Sequence, residues 1–341
     1  MGLPDHCAVK LQNKYTKGKK NLLTDVPGVK VGHITLEDQE KDIHTGVTAI
    51  LPHGGNLFKD KVMAGVSVIN GFGKSTGLMQ IEELGTVEAP ILMTNTLSIG
   101  AVLDASIKYM LRDNEEIGVS TGTVNCVVTE CNDGVLNDIR GLHVKEEHVF
   151  AALDCAGENF EEGSVGAGTG MRCLGLKGGI GSASRILSID DHEYTIGCLL
   201  MSNFGVPGSL RIDGRPIATK GEGVHPGDRG SVIIVLGTDL PLNDRQLKRT
   251  AKRAVVGLAR AGSYLGNGSG DIAIAFSNGN LVPHHSQTKI MLTKMLHDDA
   301  LDQVFEATAE IVEEAVISSL YHAGTVKGIR GKVIHGLCEY L

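Results

Sequence analysis

Apolar residues along this chain fall into short runs separated by glycine, proline and asparagine, and that spacing predicts a series of brief strands. Two of the runs, 194–201 and 231–236, are apolar almost throughout, which indicates strands buried inside the protein. The runs predicted as strands are 29–34, 46–51, 66–69, 91–94, 125–130, 194–201, 231–236 and 271–276.

Helical spacing of apolar residues occurs in longer segments between these strands. We expect helices over 98–111, 145–156 and 298–323, and a further helix that ends near residue 261. Ser98 is the predicted N-cap of the first helix, and Asn243 or Asp244 caps the one ending near residue 261. Strands and helices alternate, but several strands follow one another directly. The pattern therefore predicts a mixed α/β or α+β protein whose sheets are covered by helices.

Composition excludes several classes of protein. The 341 residues carry a net charge of -8, with no tryptophan and 4% aromatic residues, so we expect no nucleic-acid partner. The first 20 residues are polar and lysine-containing, which predicts no signal peptide, and no run of about 20 apolar residues predicts a membrane span. Seven cysteines without a CxxC motif favour a reducing compartment, and we expect a cytoplasmic protein.

One junction stands out for its possible chemistry. Residues 218–230 form a polar segment rich in glycine, and Ser231 follows directly at the head of a strongly apolar run. A flexible loop that enters a buried strand suits a self-cleaving bond between Gly230 and Ser231. After the cut, Ser231 would carry a hydroxyl and a free amine with a pKa near 8, so one residue would supply both nucleophile and base. A serine that merely begins a strand is the ordinary alternative.

Motifs for other chemistries are incomplete. Val68 stands where a phosphate-binding loop needs its first glycine, and neither HExxH nor GxSxG occurs. His284 and His285 have no acidic partner at a metal-ligand spacing. Metal-dependent and nucleotide-dependent activities are therefore not predicted.

Several segments together resemble one known family, the L-aminopeptidase/D-esterases that include the β-peptidyl aminopeptidases. The segments that carry this resemblance are 24–33, 166–181, 202–205, 230–231 and 269–271. They are long, stand in the family's order, and extend the similarity from about residue 22 to the C-terminal helix. The resemblance implies an α+β fold of the four-layer αββα sandwich type, a homo-oligomer that is usually a tetramer, and no metal or cofactor. It also implies cleavage into an α chain, residues 21–230, and a β chain, residues 231–341. The polar residues 1–20 themselves predict a loose N-terminal arm before the α chain.

The resemblance also implies roles for individual residues. Ser231 matches the nucleophile, and Asn203 matches the asparagine that stabilises the oxyanion. Ser269 and Asp271 match a serine and an acid that orient the nucleophile and its amine, although some members carry glutamate where Asp271 stands. Glu130 resembles the carboxylate that receives the substrate's N-terminal ammonium. The ordinary alternatives are a turn asparagine, a polar turn before a strand, and an exposed acid at a strand end.

The function implied by the resemblance is that of a self-processing serine aminopeptidase. It would release N-terminal residues from small peptides, amides or esters through an acyl-enzyme on Ser231. Three alternatives stay open at this point. They are an acyltransferase related to ornithine acetyltransferase, which uses threonine as its nucleophile, a non-cleaving binding or structural oligomer, and an amidase or esterase that needs no free amine.

Overall fold

A computed structural model describes residues 11–219 and 227–341 of the chain. The helices are α1 Leu78–Leu84, α2 Ile99–Arg112, α3 Glu146–Asp154, α4 Asp244–Arg260 and α5 Leu301–Tyr321. The strands are β1 Lys30–Asp38, β2 Ile43–Leu51, β3 Asp60–Val68, β4 Thr86–Val87, β5 Ile91–Asn95, β6 Val127–Cys131, β7 Arg172–Cys173, β8 Leu176–Lys177, β9 Gly179–Ile189, β10 His192–Asn203, β11 Arg211–Ile212, β12 Arg215–Pro216, β13 Ser231–Thr238, β14 Gly270–Pro283, β15 Val326–Lys327 and β16 Val333–Ile334.

Two larger sheets form the centre of the protein. One has four strands in the order β1-β2-β5-β6, and the other has six in the order β4-β3-β14-β13-β10-β9. Helices α2 and α3 pack on the outer face of the first sheet, while α4 and α5 pack on the outer face of the second. These four layers confirm the predicted αββα sandwich of the α+β class.

Alternating side chains of β13 explain why its sequence is apolar without interruption. Ile233 and Val235 pack between the two sheets, whereas Val232, Ile234 and Leu236 face the helices α4 and α5. Successive residues of a strand point to opposite faces, so a strand covered on both sides needs apolar residues at every position. The same reasoning holds for β10 and β14 on either side of it, so the head of β13 is held rigidly.

Strand β9 was not predicted, because polar residues and glycines interrupt its apolar positions. Gly181 is required there, since an added Cβ would lie 1.9 Å from the Ala315 carbonyl oxygen of α5. Arg185 is fully buried, and its guanidinium pairs with Glu310 at 2.9 Å and with Glu314 at 2.5 Å. The strand is thus buried by close backbone approach and ion pairing, which hydrophobic spacing does not reveal.

Two further expectations differ from the structure. Ser98 makes no side-chain capping bond at α2, and the Asn95 side chain instead accepts from the backbone N–H groups of Leu97 and Ser98. The N-terminal arm is not loose where it is described, because its residues contact α5: Asn13 and Lys17 bind Glu314 at 3.2 Å and 2.8 Å. Residues 1–10 of that arm lie outside the described residues.

The predicted cap of α4 is confirmed at Asn243, whose side chain accepts a hydrogen bond of 2.9 Å from the Gln246 backbone N–H. Such a cap satisfies a backbone donor that the first helical turn leaves free. Within the described residues, no helix combines the length and the hydropathy that crossing a membrane requires.

Candidate active site

The Gly230–Ser231 peptide lies where a surface segment enters the middle of the six-stranded sheet. Ser231 is the first residue of β13, where it pairs with Asn203 of β10 on one side and with Gly270 of β14 on the other. Its side chain is buried, with 5% of the residue exposed. Part of the polar segment 218–230 lies outside the described residues. Its last residues, 227–230, approach the sheet directly before the predicted cleavage bond.

The Ser231 hydroxyl has two neighbours of chemical interest. The Asn203 amide nitrogen lies 3.5 Å from its oxygen, and that amide also donates to the Asn132 carbonyl at 3.2 Å. The Cys131 thiol is the other neighbour. Burial raises its pKa well above the ordinary value, and interaction with the Ser231 side chain opposes that rise. Cys131 is therefore a neutral packing partner, while Asn203 is placed to donate to an oxygen that reacts at Ser231.

The carbonyl group of the Gly230–Ser231 peptide is fixed by its surroundings. The Gly270 backbone N–H donates to the Gly230 oxygen at 3.3 Å, and the Gly230 N–H donates to the Asp228 carboxylate at 3.1 Å. An added Cβ at Gly230 would lie 2.2 Å from the Asn203 carbonyl oxygen, so only glycine fits here. Gly230 is thus held through its own N–H and its own carbonyl group, and the Gly270 N–H already polarises the carbonyl of the Gly230–Ser231 peptide.

Ser269 and Asp271 form one hydrogen-bonded group beside β13. The Ser269 hydroxyl donates to the Asp271 carboxylate at 2.6 Å, and the Asn70 amide donates to the other oxygen at 3.0 Å. Burial raises the pKa of the Asp271 carboxyl, and the bonds from Ser269 and Asn70 act against that rise. Both predicted residues are therefore buried parts of a network, and Asn70 was not predicted from the sequence.

Glu130 lies at the end of β6 and is buried, with 4% of the residue exposed, so it is not an exposed acid at a strand end. Its carboxylate accepts from the Lys74 backbone N–H at 2.8 Å and from the Thr96 hydroxyl. An added Cβ at Gly73 would lie 3.5 Å from that carboxylate and 3.9 Å from the Gly270 Cα, so Glu130 lies on the β14 side of Ser231. Among residues 11–219 and 227–341, no lysine, arginine or histidine forms an ion pair with Glu130, so its buried carboxylate is suited to receive an ammonium group.

A pocket of about 360 Å³ opens on the other side of Ser231, next to Asn203. Its volume is at the small end of the range for ligand sites, which fits a small molecule or a single residue of a peptide. Val135 lies in its wall. The lining residues are Asn132, Gly134, Val135, Ile139, Arg172, Leu174, Gly175, Asn203, Phe204, Gly205, Arg229 and Gly230.

No group of three or more histidine, cysteine or carboxylate side chains is placed to hold a metal ion in residues 11–219 and 227–341. The groups around Ser231 are hydroxyls, amides, carboxylates and backbone N–H donors. This set can perform nucleophilic attack, stabilise an oxyanion and bind an ammonium group.

Sequence comparison places this chain among peptidases. The sequence profile of peptidase family S58 matches residues 21–334. The β-peptidyl aminopeptidase BapA of Sphingosinicella microcystinivorans is 38% identical over 346 residues, covering 94% of this chain and 86% of that protein. BapA of Sphingosinicella xenopeptidilytica is 35% identical over 348 residues, with the same two coverages.

Solved structures give the same result at the level of the fold. The PH0078 protein of Pyrococcus horikoshii OT3 superimposes with a TM-score of 0.92 and 50% identity, covering 97% of this chain and 94% of that one. The L-aminopeptidase D-Ala-esterase/amidase of Ochrobactrum anthropi gives a TM-score of 0.88 and 37% identity, covering 96% and 93%. The latter is described as a prototype of the serine aminopeptidases with a variant of the Ntn hydrolase fold.

Proposed function

This chain belongs to peptidase family S58 and is a serine aminopeptidase of the Ntn hydrolase fold, and we propose that it matures by cutting its own Gly230–Ser231 bond. The observation that carries the proposal is the position of this bond. The bond directly precedes the buried strand β13, and its carbonyl oxygen accepts a hydrogen bond of 3.3 Å from the Gly270 N–H. Ser231, which supplies the attacking hydroxyl, is the residue on the C-terminal side of the same bond.

Maturation follows in two steps from that arrangement. The Ser231 hydroxyl oxygen attacks the Gly230 carbonyl carbon, the peptide C–N bond breaks, and an ester replaces it while the nitrogen becomes a free amine. Water then hydrolyses the ester and leaves a carboxylate on Gly230 and a hydroxyl on Ser231. The Gly270 N–H stabilises the oxyanion that develops on the Gly230 oxygen. Asp228 holds the preceding N–H group, so the bond keeps its orientation during the attack.

The mature site then acts on a substrate with the same hydroxyl. The free Ser231 amine takes the hydroxyl proton, the oxygen attacks the substrate carbonyl, and the Asn203 amide donates to the resulting oxyanion. The amine next passes its proton to the leaving amine, and water hydrolyses the acyl-enzyme. The Asp271 and Ser269 network orients the new N-terminus, and Glu130 binds the ammonium of the substrate. Substrates of this kind are small peptides, amides or esters with a free amino end.

The maturation proposal is tested by comparing the purified wild-type chain with Ser231→Ala by intact mass and by denaturing gel. We expect wild type to give two fragments that together account for the 36.0 kDa chain, and Ser231→Ala to give one uncut, inactive chain. Ser164→Ala is the matched control, because Ser164 also follows a glycine but has no side-chain hydrogen bond. Fragments from the Ser231→Ala chain, or an uncut and active wild type, would overturn the proposal.

We also propose that the protein works as a homotetramer in the cytoplasm. Exposed apolar side chains on α1 support self-association, since Met79 is 85% exposed and Leu84 is 66% exposed. The described cysteines are free thiols, which agrees with a reducing compartment. Sedimentation of the purified protein would measure the oligomeric state directly.

A further inference from the structure

An arginine in the pocket next to Ser231 has no carboxylate at ion-pair distance within the described ranges 11–219 and 227–341. Arg172 lines the pocket, and its backbone N–H donates to the Asn203 side-chain oxygen at 3.1 Å. Burial lowers the pKa of its guanidinium, and the charge of Asp228 raises it. A guanidinium that has lost much of its hydration without gaining a partner binds an incoming anion favourably.

The other charged groups around Arg172 leave its guanidinium available. One Asp228 oxygen accepts from the backbone N–H groups of Gly205 and Gly230, at 3.0 Å and 3.1 Å. The other Asp228 oxygen makes no hydrogen bond and no ion pair within the described residues, so Asp228 acts on Arg172 through its charge without holding the guanidinium. Arg229 also lines the pocket and is exposed. Burial lowers the pKa of Lys332, and the charge of Arg172 lowers it further, so this lysine is another cation close to Arg172. The pocket is therefore cationic, although the chain as a whole has a net charge of -8.

Arg172 and Glu130 lie on opposite sides of the nucleophile. The Arg172 backbone N–H donates to Asn203, which is the neighbour of Ser231 on β10. Glu130 lies near Gly270, which is the neighbour of Ser231 on β14. A substrate whose ammonium binds Glu130 would place its carbonyl at Ser231 and extend its leaving residue into the pocket beside Arg172. The cation thus faces the part of the substrate that follows the bond to be cut.

The other residues that line the pocket indicate which kind of group the bound ligand carries next to its negative charge. Val135, Ile139, Leu174 and Phe204 contribute apolar surface, and the volume of about 360 Å³ leaves little room beyond one residue. An apolar wall next to positively charged side chains fits an apolar amino acid that carries its own carboxylate.

We propose that Arg172 binds the α-carboxylate of the leaving residue, so that the preferred substrates are dipeptides with an apolar second residue and a free C-terminus. This inference rests on the proposed hydrolysis at Ser231. A charge-assisted, two-pronged contact between guanidinium and carboxylate should raise kcat/KM for such a dipeptide over its C-terminal amide by about 10- to 100-fold.

The test compares a dipeptide with its C-terminal amide, for example β-alanyl-leucine and β-alanyl-leucinamide, on wild type, Arg172→Met, Arg172→Lys and Arg140→Met. Rates are divided by the cleaved fraction of each preparation. The two leaving amines differ in basicity, but this difference is common to all variants, so the change in the acid-to-amide ratio isolates the contact. Arg140 is the control, because it is exposed and follows the pocket residue Ile139.

We expect Arg172→Met to lower the acid-to-amide ratio about 10- to 100-fold, mainly through KM of the acid, with little change for the amide. Arg172→Lys should retain part of the ratio, and Arg140→Met should retain all of it. An unchanged ratio in Arg172→Met would overturn the proposal and would leave Arg172 as a partner of Asp228 or of the new Gly230 carboxylate.

Wild type alone gives an independent result if the variants do not fold. A preference of wild type for the amide that equals or exceeds what the difference in leaving-amine reactivity explains would also overturn the proposal. A wild-type chain that is uncut and hydrolyses neither compound would instead contradict the proposed function itself.

Discussion

The Asn203 amide nitrogen lies 3.5 Å from the Ser231 hydroxyl oxygen, and the two residues face each other directly across β10 and β13. Both ends of this amide are fixed, because its oxygen accepts from the Arg172 N–H at 3.1 Å and its nitrogen donates to the Asn132 carbonyl at 3.2 Å. A donor held in this way needs no rearrangement as charge develops on the reacting oxygen, which is the condition for efficient oxyanion stabilisation.

Removing that donor should lower turnover without unfolding the protein. We expect Asn203→Ala to lower kcat about 100- to 1,000-fold, since one oxyanion donor is lost. The measurement is kcat on a small peptide at a known cleaved fraction. Asn267→Ala is the control, because Asn267 is exposed in the loop before β14. A kcat within a factor of about two of wild type would assign Asn203 to the structure of the turn rather than to catalysis.

Adding one methyl group before the cleavage bond should block maturation. In Gly230→Ala the new Cβ would lie 2.2 Å from the Asn203 oxygen and 2.5 Å from the Phe204 Cα, so the backbone has to shift. We expect uncut chain to accumulate, as followed by gel over time after purification. Gly71→Ala is the control, since no atom lies within 4 Å of its added Cβ. Normal cleavage of Gly230→Ala would show that the bond is not held in the described position.

Neutralising Glu130 should affect binding of the substrate's amino end. Glu130→Gln keeps the size of the side chain but removes its charge, so KM for a free-amine substrate should rise about 10-fold or more. The result is read from Michaelis–Menten curves with a free and an N-acetylated substrate. Glu115→Gln, at an exposed position, serves as control. If KM for the free-amine substrate stays at the wild-type value, the ammonium binds elsewhere.

Stability should decrease in mild acid because of His33. Burial lowers the pKa of this histidine from 6.5 to about 4, and its Nδ1 lies 2.9 Å from the Thr48 hydroxyl. Between these pH values the unfolded chain binds a proton that the folded chain does not, so stability falls as pH falls. The full effect below pH 4 is about 3 kcal/mol in the free energy of unfolding.

Denaturant unfolding at several pH values between 4 and 7 measures this effect. Asp133 and Glu162 act in the opposite direction, because burial raises the pKa of each to about 7, so the total slope combines several residues. The difference between wild type and His33→Gln isolates the histidine, and His192→Gln, at an exposed position, should follow wild type. Parallel curves for wild type and His33→Gln would contradict the predicted linkage.

Hydrophobic spacing located most of the sheets and helices because apolar runs report burial directly. It predicted strands within β2, β10, β13 and β14 and the helices α2, α3, α4 and α5, with ends that differ by a few residues. It missed β9, where Gly181 and Arg185 replace apolar burial by backbone approach and ion pairing. It also assigned the capping side chain of α2 to Ser98. Asn95 provides the capping hydrogen bonds instead, at the start of a short 3-10 turn, Thr96–Ser98, which precedes α2 and is not visible in the hydrophobic spacing.

The site was predictable only where short motifs resemble a known family. Ser231, Asn203, Ser269 and Asp271 stand in such motifs, and the structure brings Asn203 to Ser231 and bonds Ser269 to Asp271. Asn70 was missed, and Arg172, although it stands in the segment 166–181, was given no role, because the significance of both depends on contacts between residues far apart in the chain. Asn70 comes shortly after β3, and nothing in the neighbouring sequence shows that its amide reaches Asp271 of β14.

The order of strands in the six-stranded sheet decides what becomes of the two pieces after the proposed cut. Strands β13 and β14 belong to the second piece, yet β10 and β9 of the first flank them on one edge, and β3 and β4 flank them on the other. Strands of both pieces are therefore hydrogen-bonded in one sheet, and the pieces cannot dissociate on dilution unless that sheet unfolds. If the proposed cut occurs, we expect the two pieces of one molecule to stay paired, so that mixing isotopically heavy and light preparations yields no α chain of one preparation bound to a β chain of the other.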